Sequence, residues 1–212
     1  MLPLPRTRAM DIDTTHCVLC SVSYWRQTRP LRERLEFEPD LATRCCPVSE
    51  QTALRLAVEC NDAPLVRVLL ELHADPNASR TSMPILNYPG ICRDFEMLQL
   101  LVEHKADIAA ANAGPNSLLA HITQWPEGLR FVLDQKVDPN TWMETGMTPI
   151  LAAADNVTST ECVELLLERN ADIHAVARGT GMSSLHRAAV ALSRPMCMLL
   201  LNHGLSKRLR NV

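Results

Sequence analysis

The chain has 212 residues, 47% of them hydrophobic and 21% charged, the balance of a globular protein of one domain or two small ones. A formal net charge of −3 argues against a nucleic-acid binder held by phosphate neutralisation, and no apolar run approaches the roughly 18 residues of a bilayer span. Aromatic side chains at 4% and only 7 glycines argue against a β-sandwich or a phosphate-binding α/β enzyme, so a helical protein is expected.

The first ten residues lack the apolar core of a secretory signal. A cytoplasmic location is therefore expected, with the nucleus as the alternative. In that compartment the 8 cysteines stay reduced. Residues 1–11, with two prolines and two arginines, read as a flexible tail. Residues 12–48 read as a degenerate capping repeat. Thr14 through Trp25 supplies its first helix, and Leu31-Arg-Glu-Arg-Leu-Glu-Phe-Glu-Pro-Asp-Leu41 its second helix and turn.

His16, Cys17, Cys20, Cys45 and Cys46 form the one cluster with metal-ligand character. Zinc requires four thiolate or imidazole ligands in a tetrahedron, and Cys17 and Cys20 could supply two. Adjacent cysteines cannot easily turn both sulfurs to one ion, so buried structural cysteines are the simpler reading. No metal or other cofactor is expected.

From residue 49 onward the chain repeats. Five openings, Thr52-Ala-Leu-Arg55, Met83-Pro-Ile-Leu86, Asn116-Ser-Leu-Leu119, Thr148-Pro-Ile-Leu151 and Ser183-Ser-Leu-His186, recur every 31 to 35 residues. A leucine-rich helix follows each, as in Leu65-Val-Arg-Val-Leu-Leu70 and Val163-Glu-Leu-Leu-Leu167. Four of these helices run into a turn carrying Asp75, Asp107, Asp138 or Asp172. The aspartates are expected to accept hydrogen bonds from turn amides rather than to act as catalytic carboxylates. Such a period marks stacked helix pairs sharing one core, with repeats at about 49–81, 82–114, 115–146, 147–181 and 182–212.

The openings, the leucine-rich second helices and the Ala-Asp turns resemble the ankyrin repeat. Gly146-Met-Thr-Pro-Ile-Leu-Ala-Ala-Ala154 and Ser184-Leu-His-Arg-Ala-Ala189 carry the closest likeness. The resemblance implies an all-α solenoid of helix pairs with short β-hairpin fingers. It also implies a non-enzymatic scaffold that binds partner proteins along its fingers and first helices. The glycine usual before Ala-Asp is replaced by His73, Lys105, Lys136 and Asn170, a position that favours a left-handed backbone.

The fingers then fall at 77–82, 109–114, 140–146 and 174–182. Trp142, Met143 and Glu144 lie at the tip of the third. Trp142 is either an interface anchor or a side chain folded onto a neighbouring finger. Arg80 and Arg178 would flank it as polar rim groups, whereas Trp125 reads as local packing. Arg55, Glu59, Gln124, Asp155 and Arg187 are the polar residues expected to be exposed on the first helices. His186 stands where the ankyrin histidine hydrogen-bonds neighbouring turns.

The Arg44-Cys-Cys46 stretch and the last repeat resemble substrate adaptors of cullin ubiquitin ligases. Arginine outnumbering lysine 18 to 3 suits an adaptor with few acceptor lysines, although genomic base composition explains the same bias. The expected partners are thus one or more proteins, with cullin-ligase components among the candidates, and neither nucleic acid nor membrane. The rival readings are a regulatory inhibitor that masks a partner's surface and, more remotely, a zinc-bearing or catalytic protein.

Overall fold

The computed structural model describes residues 29–46, 51–78, 83–112, 117–157 and 159–204. Among them the fold is all-α, with no strand; only isolated antiparallel bridges join Cys45 to Thr52 and Val176 to Ser183. No helix of the described residues is long and apolar enough to cross a membrane. The chain divides into two compact units, Met1–Thr81 and Ser82–Val212.

The first unit contains α1 (Arg29–Leu35), a 3-10 helix (Pro39–Ala42), α2 (Ala53–Glu59) and α3 (Ala63–Glu71). Leu31 and Leu41 are buried. The expected tail and first capping helix lie outside the described residues. α2 starts at Thr52 because its side chain accepts the Arg55 N–H at 3.2 Å, and α3 starts where Asp62 accepts from Leu65 at 3.2 Å.

The second unit holds α4 (Asn87–Cys92), α5 (Phe95–Glu103), α6 (Ile108–Asn112), α7 (Leu118–Ile122), α8 (Pro126–Asp134), α9 (Pro149–Ala153), α10 (Glu161–Glu168), α11 (Ser184–Val190) and α12 (Arg194–Asn202). The first helices α4, α7, α9 and α11 pack successively in one row. The second helices α5, α8 and α10 pack in another, and α12 closes against α11. Leu118, Ile122, Leu129, Val132, Ile150 and Leu166 are fully buried between the rows. Small residues permit the close approach: a Cβ on Gly90 of α4 would come within 2.7 Å of the Leu118 side chain of α7.

The opening Met83-Pro-Ile-Leu86 is a turn, and regular helix begins only at Asn87. Pro89 has no N–H for the Ile85 carbonyl, so an α-helix cannot run through from Met83. Tyr88 N–H takes that carbonyl instead, at 3.3 Å.

The second helices end as the turn chemistry expects. His73, Lys105, Lys136 and Asn170 have φ of 62°, 67°, 63° and 63°, and Gly204 has 97°. The next amide reaches back to the helix, as in Ala74 to Leu69 and Ala171 to Leu166, both at 2.9 Å. A left-handed residue with a Cβ is strained, and exposed Lys136 gains no burial in return. Lys136→Gly should therefore raise stability by about 0.5–1 kcal/mol in urea unfolding, the relief of strain exceeding the added freedom of the unfolded chain.

His121 on α7 has its Nε2 buried without a hydrogen-bond partner among the described residues, and burial lowers its pKa from the ordinary 6.5. The unfolded chain binds this proton at a higher pH than the folded one. Stability should thus decline as pH falls from about 6.5 toward the folded value. His121→Leu should flatten that part of the Tm-against-pH curve.

Candidate functional site

The turn after α8 sets up the third finger. Asp138 accepts the Asn140 N–H at 2.9 Å, and Asp75 and Asp172 make the same i to i+2 bond with Asn77 and His174, at 2.8 and 2.9 Å. These aspartates hold turns, as their spacing suggested. Asn140 then reaches the following repeat. Its side-chain oxygen accepts the Asp172 N–H at 2.7 Å, and its amide donates to the Asn170 carbonyl at 3.2 Å.

In the third finger one side chain turns inward between exposed neighbours. Trp142 is 41% exposed and Glu144 is exposed, whereas Met143 is buried. Met143 was expected among the partner-binding residues, and the structure places it inward. Its N–H donates to the Met147 carbonyl and its carbonyl accepts from Gly146, at 2.9 and 3.0 Å, so this residue pins the loop that presents Trp142.

The fourth finger closes tightly by bonds from Ala177 to Met182 and from Gly181 to Ala177, both at 2.9 Å. Arg178 at its tip donates its backbone N–H to the Gly146 carbonyl at 2.8 Å, joining the two fingers. Gly146, at φ 72°, allows this approach, since a Cβ there would lie 3.1 Å from that of Arg178. The Arg178 guanidinium stands 4.1 Å from the centroid of the Trp142 ring. Stacking of this kind at an exposed site contributes about 0.5–1 kcal/mol and orders both side chains. Trp142 is therefore in contact with its neighbour and still open to solvent.

The first-helix residues divide. Gln124 is exposed but lies in the turn after α7, and Asp155, in the turn after α9, forms an ion pair with Arg187 of α11. Arg55 and Glu59 were expected on the surface, and Arg55 is instead buried, its Nε 2.9 Å from Glu59. The repeat register explains the difference. Arg55 is the fourth residue of its opening, as are buried Leu151 and part-buried His186 of theirs, and that position faces inward. Glu59, one turn later, follows it in to neutralise the charge. His186 bonds its own helix start rather than a neighbouring turn: its Nδ1 accepts the Ser183 N–H at 3.3 Å.

Arg80 lies outside the described residues, with most of the 77–82 finger. The 109–114 finger is corrected by the structure, because residues 108–112 form α6. Asp107 caps it by accepting the Ala110 N–H at 2.9 Å, and three alanines favour the helix. Asn112 then accepts from Ser117 and from the Leu119 N–H, at 3.1 and 2.9 Å, taking the place of a finger strand at the entrance to α7.

Trp125 is buried with Phe95 edge-on at 6.4 Å, which is local packing. Cys45 is exposed and Cys46 buried, so the two sulfurs do not share an environment, and His16, Cys17 and Cys20 lie outside the described residues. Burial pushes the Cys162 thiol up to about 11, leaving it protonated and unreactive at neutral pH. Sequence reasoning did not single out the exposed Val190. It is 72% exposed at the position that Glu59 and Asp155 hold in their repeats, and alignment of the openings could have found it.

The stacked helix pairs and Asp-bearing turns agree with the family comparison. Ankyrin repeats (3 copies) match residues 120–211, and a further ankyrin repeat matches residues 49–80. The chain belongs to the ankyrin-repeat family. No curated protein matches it. Ankyrin repeats form protein–protein interaction modules and are generally non-catalytic. The paired tips of the third and fourth ankyrin fingers expose the Trp142 ring.

Proposed function

We propose that the chain is a non-enzymatic scaffold that recognises a partner protein through its third and fourth fingers and the adjoining first helices. The observation that carries this reading is the Trp142 ring, fixed under Arg178 at a finger tip and 41% exposed. A half-exposed tryptophan adds little to the repeat core, whereas an ordered aromatic with an arginine beside it is the composition of an interface anchor. Arg187 on α11, with Asp155 and Gln124 in the turns that follow α9 and α7, extends the surface inward, and Glu144 borders the anchor.

Affinity purification with the wild-type chain and with Trp142→Ala as baits tests the reading. A protein retained by the first and lost from the second is the expected result; identical protein profiles would reject this surface. The same purification separates two roles. A substrate adaptor would bring cullin and elongin subunits along with its target, and a masking regulator would bring one stoichiometric partner.

A further inference from the structure

The charges of this chain are segregated. No acidic residue follows Asp172, while Arg178, Arg187, Arg194, Lys207, Arg208 and Arg210 do. Within a chain of net charge −3, the last repeat is thus wholly basic. Two of these cations have no carboxylate among the described residues. Among the described residues the Arg178 guanidinium meets the ring of Trp142 and no acceptor, which leaves its donors open in a fixed plane. Arg194 is exposed in the first turn of α12, where the helix dipole opposes a positive charge. Stability of the free chain does not account for a cation there.

Apolar side chains accompany the charge. Val190 lies one turn beyond Arg187 on α11, on the same face, and is 72% exposed. Leu192 follows in the interhelix turn, 88% exposed at φ 57°. The same turn position in earlier repeats holds Asn61 and Arg93, at 55° and 57°. A leucine there bears left-handed strain and recovers nothing by burial. Val157 is exposed in the corresponding turn of the preceding repeat, whose first helix α9 packs on α11.

We infer that the partner segment seated on the last two repeats is an acidic and apolar peptide stretch. Its carboxylates meet Arg178 and Arg194, and its apolar side chains cover Val157, Val190 and Leu192. This rests on the interaction surface proposed above and gives that surface its partner chemistry.

The test is selection of a randomised 16-residue peptide library on the full chain, followed by titration of the enriched peptides. Enrichment in Asp and Glu interspersed with Leu, Ile, Phe or Trp is expected. Arg178→Glu/Arg194→Glu should weaken those peptides at least tenfold, and so should Val190→Asp/Leu192→Asn. All four positions are exposed, and thermal melts no lower than wild type would show the variants folded. Neutral or basic peptides that still depend on Trp142 would overturn the partner chemistry and leave the surface standing. Peptides indifferent to Trp142→Ala, or no enrichment at all, would overturn both. Phosphatidylserine vesicles that displace the peptides, or self-association lost in the charge-reversed variant, would assign the patch to a membrane or a second copy and overturn the inference.

Discussion

Ile150→Asp is expected to destabilise the chain by about 4 kcal/mol or more, the largest effect of any substitution considered. Ile150 is fully buried on α9, and α9 packs against α7, α10 and α11. The change removes an apolar side chain from a site with no room for water and puts a carboxyl group without a partner in its place. For a chain of this size about 10 °C of Tm should be lost. Because repeats stabilise one another through their interfaces, the damage should spread to the neighbouring helix pairs. Ile150→Val is the control and should cost about 1 kcal/mol. The sign with pH is a second check. A buried carboxyl titrates above its unfolded value near 4, so the folded variant holds its proton longer, and the variant should lose further stability as pH rises through that value. A melting temperature equal to wild type would remove Ile150 from the core.

That core was legible because it is periodic. The openings and the leucine runs each appear five times, and one register locates Ile150 as readily as Leu118 or Leu98. The turns were legible for the same reason. Asp75, Asp138 and Asp172 bond the amide two residues on, and His73, Lys105, Lys136 and Asn170 take the left-handed conformation that glycine usually fills.

What the sequence hid was which way individual polar and apolar side chains face. Arg55 looked like a surface arginine by its chemistry, while its place in the opening puts it inside with Glu59 as counter-ion. Met143 looked like part of an exposed tip, but it is buried while Trp142, Glu144 and Thr145 are exposed. In the 109–114 segment, helix propensity overrode the hairpin that the repeat period implied: an aspartate cap and three alanines suffice for a turn of helix. The Trp142–Arg178 stack was half legible. Both residues could be assigned to finger tips, but their contact depends on Gly146 letting two fingers meet, a distance that no spacing encodes.

That stack makes Trp142→Ala the most informative substitution for function. We expect it to weaken the cognate complex by about 2 kcal/mol, some thirty-fold in Kd, while global stability changes by less than about 1 kcal/mol. The two numbers separate because of where the ring sits. On the folded chain it contributes one exposed stack on Arg178 and leaves no cavity in the helix core when truncated. In a complex the remaining face would be dehydrated, and Arg178 would lose the ring that orients its guanidinium. Arg178→Ala should cost less, about 1 kcal/mol, and act more on the association rate, since a solvated rim charge steers encounter more than it holds the complex. Asp155→Ala should matter for binding only if the partner reaches the first helices, where it would release Arg187 from its ion pair. Isothermal titration beside a thermal melt resolves these cases. An unchanged Kd with a large loss of stability would make Trp142 a packing residue and move the anchor elsewhere on the fingers.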